Sequence, residues 1–178
     1  SSWYINHYRS SLIERVKKIW RHTISLSPID SASIELEQKT LFIPWNTDRK
    51  NDSNLLSLVI ALIRVIFLIR ALKPSLIHSH TLKANLLISI ASAIFGIKTV
   101  LSFAGLGKFS KSKGLKKFIF IAILKIIILI SKFERVSRWK WRINENRTAF
   151  IFQNPRDKKS IENLFNKYQR ESVYLVAG

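Results

Sequence analysis

The chain has 178 residues, a length that suits one domain with a single hydrophobic core. Hydrophobic residues make up 47% of it, which excludes a disordered tail. It has no cysteine, which excludes disulfides and thiolate metal sites and fits a reducing compartment. Ser1 begins close to a helical pattern and Gly178 follows a predicted strand, so we expect residues 1–178 to be one domain that is truncated at both ends.

Charge is the strongest signal in the composition. Lys and Arg number 30 against 11 Asp and Glu, for a net charge of +19. Between Asp52 and Glu134 the sequence has no acidic residue but twelve basic ones. Such a block indicates an anionic partner, which means lipid headgroups, phosphates or nucleic acid. A solvated basic surface without a dedicated partner is the alternative.

The N-terminal part of the chain predicts two short strands between two long helices. Apolar residues at mostly helical spacing predict a helix over residues 5–20. Short runs that end at a proline predict strands over His22–Ser27 and Thr40–Ile43. The polar residues 45–53 predict a loop, and Asn54–Leu72 predicts a long apolar helix.

From residue 75 onward, predicted strands and helices alternate. The strands are predicted over Ser75–Ser79, Lys98–Phe103, Thr148–Gln153 and Ser172–Val176, and the helices over Leu82–Phe95, Leu115–Ser131 and Asp157–Tyr168. This alternation predicts an α/β fold, a parallel sheet with crossover helices on both faces. Ligands of such sheets bind beyond the carboxyl ends of the strands.

The segment HSHTLKAN, His78–Asn85, follows one of these strands. His80, Thr81 and Lys83 fall at the strand end and in the first helical turn, where free N–H groups bind anions. The alternative is that Thr81 only caps the helix and His78 is a buried strand residue. The two histidines share one side of the strand, but no carboxylate lies nearby in sequence, so we predict no metal site.

Two more loops follow predicted strands. In FAGLGKFS, Gly105 and Gly107 allow close approach of the backbone to a ligand, although the dinucleotide pattern GxGxxG is absent. An ordinary turn is the alternative for this loop. In FQNPRD, Asn154 and Asp157 fit the start of a helix, so simple capping is the alternative there.

In order and spacing these loops resemble the N-terminal domain of the family-four retaining glycosyltransferases, especially bacterial enzymes of capsule, O-antigen and lipid-linked oligosaccharide synthesis. KPSLIHSHTLKANLLISIASAIFGIKTVLSFAGLGKFS is similar to that family's strand, His-Thr-x-Lys, helix, strand and Ala-Gly-Leu-Gly segment. FIFQNPRDKKSIENLF resembles its Phe-x-Asn-x-x-Asp strand and helix, and Asn6 and Arg9 of YINHYRSSLIERV match its first helix. The resemblance implies the N-terminal, Rossmann-like half of a GT-B fold.

The resemblance also implies a reaction. It implies transfer of a sugar from a nucleotide sugar to a lipid-linked acceptor, expected to be a polyprenyl diphosphate, without a cofactor or metal. Nucleotide-sugar binding belongs to a C-terminal domain in this family, so we expect the 178 residues alone to be inactive. The acceptor cleft is expected to include His80, Thr81, Lys83, Gly105, Gly107, Asn154 and Asp157. No catalytic residue is assigned, since a histidine frequent in relatives is replaced by Ala104.

The basic block then suits a cytoplasmic protein on the inner face of the cell membrane, because cations favour the anionic leaflet. The best membrane-contacting segment is Leu115–Ser131, with Lys116, Lys117 and Lys125 as cations. Its alternative is a buried core helix from which Lys125 extends to water.

Two other functions compete with the enzyme. A nucleic-acid-binding module fits the charge, although the basic residues lie among aliphatic ones and no known motif appears. A small membrane protein would use Leu55–Leu72 and Phe118–Ile130 as spans, but Arg64 and Lys125 interrupt them.

Overall fold

The computed structural model describes residues 2–19, 22–45, 54–103, 114–135, 140–144, 147–165 and 167–176. The chain divides into two compact units, Ser1–Ser57 and Leu58–Gly178. The boundary falls in the first turn of a long helix, Leu55–Leu72.

The described residues of the first unit form two helices and a pair of parallel strands. Its elements are α1 (Ser2–Ile19), β1 (Ile24–Ser27), α2 (Ser33–Lys39) and β2 (Leu41–Pro44). β1 and β2 pair in parallel over all four of their residues. The predicted helix and both predicted strands are confirmed. The sequence analysis missed α2, which has seven residues and is too short for its apolar spacing to be distinctive.

The buried side of β1 is made of hydroxyls rather than aliphatic side chains. Ser25 and Ser27 are buried, whereas Ile24 and Leu26 are exposed. Ser27 Oγ lies 2.7 Å from Ser2 Oγ, so the strand is tied to the start of α1 by a hydrogen bond between buried groups. Alternation in the sequence therefore identified the strand, but hydrogen bonding decided which side is buried.

The second unit is built on a four-stranded parallel sheet. Its strands are β3 (Leu76–His80), β4 (Lys98–Phe103), β7 (Thr148–Phe152) and β8 (Val173–Leu175), and they lie side by side in the order β3-β4-β7-β8. Its helices are α3 (Leu55–Leu72), α4 (Leu82–Phe95), α5 (Leu115–Ser131), α6 (Pro155–Ile161) and α7 (Lys167–Arg170). The predicted α/β class with parallel strands and crossover helices is confirmed, in agreement with a Rossmann-like N-terminal half.

Aromatic rings dominate the core of this unit. Phe103 and Phe152, on neighbouring strands, stack with ring centroids 5.2 Å apart. Phe165 packs edge-on against Phe150 at 4.9 Å. From the helical side, α5 buries Leu124 completely. These contacts fix the strands whose carboxyl ends carry the candidate loops.

Helix α4 packs closely because its buried residues are small. Ser89, Ala91 and Ser92 are fully buried, as expected for a helix lying close on a sheet. Gly96 ends the helix in the left-handed conformation, with φ 66°, and its N–H donates to the main-chain oxygen of Ser92. The predicted bounds of α4 and β4 are confirmed.

Two predictions in this unit need correction. A single helix over Asp157–Tyr168 is wrong, since α6 is followed by a 3-10 turn, Glu162–Leu164, and then by α7. The break comes at Phe165, whose backbone is extended while its ring packs in the core, so tertiary packing overrides helix propensity. The antiparallel pair β5 (Phe133–Arg135) and β6 (Trp141–Ile143) was missed, because three residues per strand show no periodicity.

Helix α3 is the one helix in the described ranges that meets a membrane span's requirements of length and composition. It has 18 residues, a mean hydropathy of 2.5, and only 17% of its residues buried. It carries Arg64 and Arg70. The second span of the competing membrane hypothesis, Phe118–Ile130, lies within α5, whose 17 residues include a face packed into the core.

Candidate functional site

The carboxyl edge of the four-stranded sheet gathers the candidate loops. β3, β4 and β7 are adjacent and parallel, with His80 opposite Ser102 and Phe103 opposite Phe152. The segments that follow these strands therefore begin at the same edge. Thr81 directly follows β3, and the segment that begins at Gln153 directly follows β7. Gly105 and Gly107, after β4, lie outside the described residues.

Two imidazoles lie side by side at the end of β3. The rings of His78 and His80 have centroids 4.2 Å apart and are tilted by 44°. His78 Nε2 is 2.7 Å from the hydroxyl oxygen of Ser102 on β4. Both histidines are half-buried. The predicted sharing of one side of the strand is confirmed, and the pair offers ring nitrogens for hydrogen bonding at the sheet edge.

Thr81 makes an unusually tight connection between β3 and α4. It is the single residue between His80 and Leu82, and its backbone has φ 80° and ψ 150°. A positive φ is costly for a β-branched residue, because Cβ crowds the backbone. In the part of the chain that the structure describes, its side chain makes no capping hydrogen bond to α4. Thr81 is exposed and Lys83 is half-buried in the first turn of α4.

Asn154 caps α6, as the capping interpretation predicts. Its side-chain oxygen accepts a hydrogen bond from the backbone N–H of Arg156 at 2.9 Å. Pro155 occupies the first helical turn, where its lack of an N–H has no cost. Asp157 is almost completely buried in that turn. The Asn154 side chain is thus engaged in capping and Asp157 is buried, whereas Thr81 is exposed and His80 and Lys83 are half-buried.

Sequence reasoning missed the buried residues beneath this edge. Asn85 is fully buried, accepts a hydrogen bond from Ser79 Oγ, and donates from Nδ2 to the main-chain oxygen of Ser102 at 3.0 Å. Its backbone N–H donates to the main-chain oxygen of Thr81 at 2.9 Å. The available signal was the single amide side chain of a mostly apolar helix, since a buried polar side chain needs partners.

Helix α5 has two different faces. Phe120, Leu124, Ile127 and Ile128 are buried in the core. On the other side five large apolar residues are exposed: Leu115, Phe118, Ile119, Ile126 and Leu129. We call these five the outer face of α5. The core-helix interpretation therefore holds for one face of α5, and membrane contact by the other face stays a prediction.

Cations accompany the outer face of α5. Lys117 and Lys125 are exposed, and Lys116 lies in the first helical turn. Lys125 lies one helical turn before Leu129 and two turns after Phe118, so the exposed apolar residues have a positive charge at their border. The arrangement suits a surface that combines apolar and anionic groups.

The first unit has a polar cluster that involves Asn6. Asn6 Nδ2 donates to Glu35, and Lys39 Nζ donates to Asn6 Oδ1 at 2.7 Å and to Glu35 Oε1 at 3.3 Å. The hydrogen bond from Lys39, followed by that from Asn6, lowers the pKa of Glu35.

A second carboxylate of this unit, Asp30, also has a lowered pKa. Burial disfavours the charged form of Asp30, but hydrogen bonds from the backbone of Trp3 and Ala32 outweigh this effect.

An open groove of about 510 Å³ lies away from the carboxyl edge. It is lined where α3 ends and where α4 ends, by Ile69, Arg70, Lys73, Pro74, Phe95 and Ile97. These residues precede β3 and β4 and so lie toward the amino ends of the strands. Ligands of parallel sheets bind at the opposite edge, so the groove is the weaker candidate despite its size.

Among the described residues, no group of three or more His, Asp or Glu is placed to hold a metal.

Comparison with known proteins identifies the family. The sequence model of the family described as "Glycosyl transferase 4-like" matches residues 4–133, well over half of the chain. The match includes the segment from His78 to Lys83 and the outer face of α5. A search of curated proteins finds no match.

Proposed function

The chain belongs to the glycosyl transferase 4-like family, and on this premise we propose that it forms the acceptor side of a retaining glycosyltransferase. The acceptor proposed is a sugar linked to a polyprenyl diphosphate, in the synthesis of a capsule or O-antigen type polysaccharide at the inner face of the cell membrane. The observation that carries the proposal is the grouping of His80, Thr81 and Lys83 at the carboxyl edge of a parallel sheet.

The grouping suits a diphosphate-linked substrate for electrostatic reasons. Lys83 brings a positive charge to the first turn of α4, where backbone N–H groups and the helix dipole also attract anions. The imidazole of His80 and the hydroxyl of Thr81 add hydrogen-bonding groups beside it. Sugar transfer depends on positioning and on stabilising the departing diphosphate, which such groups provide.

Binding of a farnesyl-diphosphate-linked hexose to the chain tests this site. We expect Lys83→Gln and His80→Ala each to weaken binding about tenfold, as for loss of a charge-assisted hydrogen bond of about 1.4 kcal/mol. Lys98→Gln is the matched control, because this exposed lysine begins β4 at the other end of the sheet. The proposed site is contradicted if all three variants weaken binding equally. It is also contradicted if none of them changes the affinity.

Donor binding is proposed to require a second domain, so the 178 residues alone should transfer no sugar. The reason is that GT-B enzymes bind the nucleotide sugar mainly with their C-terminal half. Release of nucleoside diphosphate from a nucleotide sugar is the measurement. Measurable transfer by the chain alone contradicts this part of the proposal.

The outer face of α5 is proposed to lie in the membrane interface. Exposed Phe118 and Leu129 supply apolar area, and Lys117 and Lys125 supply attraction to anionic headgroups. The absence of acidic residues between Asp52 and Glu134 in the sequence removes a source of repulsion. A lipid-linked acceptor would then be met at the surface in which it resides.

Co-sedimentation with vesicles of phosphatidylglycerol and phosphatidylcholine tests this contact. Lys125→Gln should weaken binding about fivefold, corresponding to about 1 kcal/mol per cation at the surface. Phe118→Ser should weaken it further, whereas Ile34→Ser, a change at an equally exposed aliphatic residue of α2, should not. Retention on heparin without binding to vesicles would favour nucleic-acid binding instead.

A further inference from the structure

A chain of polar contacts runs beneath the carboxyl edge and ends at His80. Asn85, on α4, accepts from Ser79 Oγ on β3 and donates to the main-chain oxygen of Ser102 on β4 at 3.0 Å. It therefore joins two neighbouring strands and the helix between them. Asn85 and Ser102 are both fully buried, so these contacts are shielded from competing water.

The contacts continue from Ser102 to the imidazole pair. Ser102 Oγ is 2.7 Å from His78 Nε2, and the His78 ring packs against that of His80 with centroids 4.2 Å apart. Ser102 thus accepts a hydrogen bond from Asn85 with its main-chain oxygen and contacts His78 with its hydroxyl. The Ser102 hydroxyl thus contacts the His78 ring, which in turn packs against the His80 ring.

The backbone of Asn85 also contacts the strained connection beside His80, through a helical i to i−4 hydrogen bond. The backbone N–H of Asn85 donates to the main-chain oxygen of Thr81, whose φ is 80°. Strained backbone persists only where surrounding contacts determine it. Asn85 thus contacts the main chain of Thr81 directly, and it is connected to His80 through Ser102 and His78.

We propose that Ser102 and Asn85 are positioning residues, which fix His80 and Thr81 in the geometry that binds the acceptor. This inference rests on the proposed function of the edge. Neither residue is proposed to touch the acceptor, since both are fully buried. They reduce the number of orientations open to His80 and Thr81, which are proposed to touch the acceptor. This lowers the entropy that is lost on binding.

Ser102→Ala is the principal test, with two readouts. The ring nitrogen and proton signals of His78 and His80 are followed by NMR in the labelled chain, and the affinity for a farnesyl-diphosphate-linked hexose is measured in parallel. We expect both pairs of ring signals to shift and the affinity to fall about fivefold, as for one lost hydrogen bond. Ser102→Thr keeps a hydroxyl and should restore the ring signals and the affinity to within about twofold.

Ser89→Ala is the matched control. Ser89 lies on α4 and is as fully buried as Ser102, and its hydroxyl donates to the main-chain oxygen of Asn85 at 2.6 Å, one turn farther from the edge. This variant should lose a comparable amount of thermal stability but keep the ring signals and the affinity. If Ser102 had only a structural role, Ser102→Ala and Ser89→Ala would have the same effect on the ring signals and on the affinity.

The two readouts separate failure of this inference from failure of the proposed function. Unchanged His80 ring signals in Ser102→Ala, or an equal loss of affinity in Ser89→Ala, overturn the positioning role. The ring signals need no ligand, so they decide the inference even where the unaltered chain fails to bind the hexose. That failure would overturn the proposed acceptor function.

Discussion

Arg147 donates a hydrogen bond from Nη2 to the main-chain oxygen of Ser131, at 2.7 Å, where α5 ends. The same guanidinium donates from Nη1 to Ser92 Oγ at 2.9 Å and to the main-chain oxygen of Ile97 at 3.2 Å, near the end of α4. Arg147 is only 2% exposed. A buried cation thus lies at the C-terminal ends of two helices, where their dipoles favour positive charge.

Arg147→Ala should therefore destabilise the second unit. The change leaves buried carbonyl oxygens without a donor, and we expect a loss of about 3 kcal/mol in the free energy of unfolding. Urea unfolding of the whole chain measures it. Arg156→Ala, at an exposed position in the first turn of α6, is the control and should change stability by less than about 0.5 kcal/mol. Similar values for the two variants would show that Arg147 does not join the helices as described.

The two faces of α5 predict opposite outcomes for two leucines. Leu124 is fully buried, so Leu124→Ala should cost about 3 kcal/mol of stability. Leu129 is 52% exposed, so Leu129→Ser should cost less than about 1 kcal/mol while weakening vesicle binding. Unfolding and co-sedimentation on the same samples make the comparison. A large stability loss from Leu129→Ser would mean that its side chain is packed in a core.

Backbone strain at Thr81 predicts that glycine is tolerated there better than alanine. Glycine adopts positive φ without crowding, whereas alanine keeps the Cβ. We expect Thr81→Gly to be about 1 kcal/mol more stable than Thr81→Ala, although both lose the hydroxyl. Thermal unfolding of the pair isolates the backbone effect. If the alanine variant is the more stable, Thr81 does not have the described conformation.

The polar cluster in the first unit predicts a dependence on acid. The pKa of Glu35 is lowered in the fold, because it accepts hydrogen bonds from Lys39 and Asn6. Such a carboxyl stabilises the fold at pH values above the pKa that it has in the unfolded chain. This stabilisation is lost as the pH falls through the pKa that it has in the folded chain. Acidification from pH ~7 to pH ~3 should therefore destabilise the unaltered chain more than Glu35→Gln.

Urea unfolding at the two pH values measures this difference. Glu37→Gln, an exposed change on the same helix, is the control and should leave the acid dependence nearly as in the unaltered chain. An identical acid dependence in Glu35→Gln and in the unaltered chain would show that the cluster does not hold this carboxylate.

The elements that sequence patterns predicted best are those with clear ends. Pro74 follows α3 closely and Gly96 ends α4, and the predicted bounds of α4, β4 and α5 agree with the structure. The short elements α2, β5 and β6 were missed, because three to seven residues give too few repeats of either period. The break at Phe165 depends on packing against the rings of Phe150 and Phe152 on β7, which the local pattern does not contain.

The candidate site was predictable only in part, for a similar reason. Loops that follow parallel strands must meet at one edge, so the placement of His80 and Asn154 followed from the order of elements. The contact of Asn85 with Ser102 spans 17 residues and depends on how α4 packs on β4. A lone amide in an apolar helix indicates that a partner exists, but only the fold identifies it.

The proposed acceptor site is tested by a map of backbone amide signals during titration with a farnesyl-diphosphate-linked hexose. We expect the perturbed amides to concentrate at the carboxyl edge, around His80, Thr81 and Lys83 and at the start of α6. Perturbation confined to the groove near Lys73 and Phe95, at the other edge of the sheet, would contradict it.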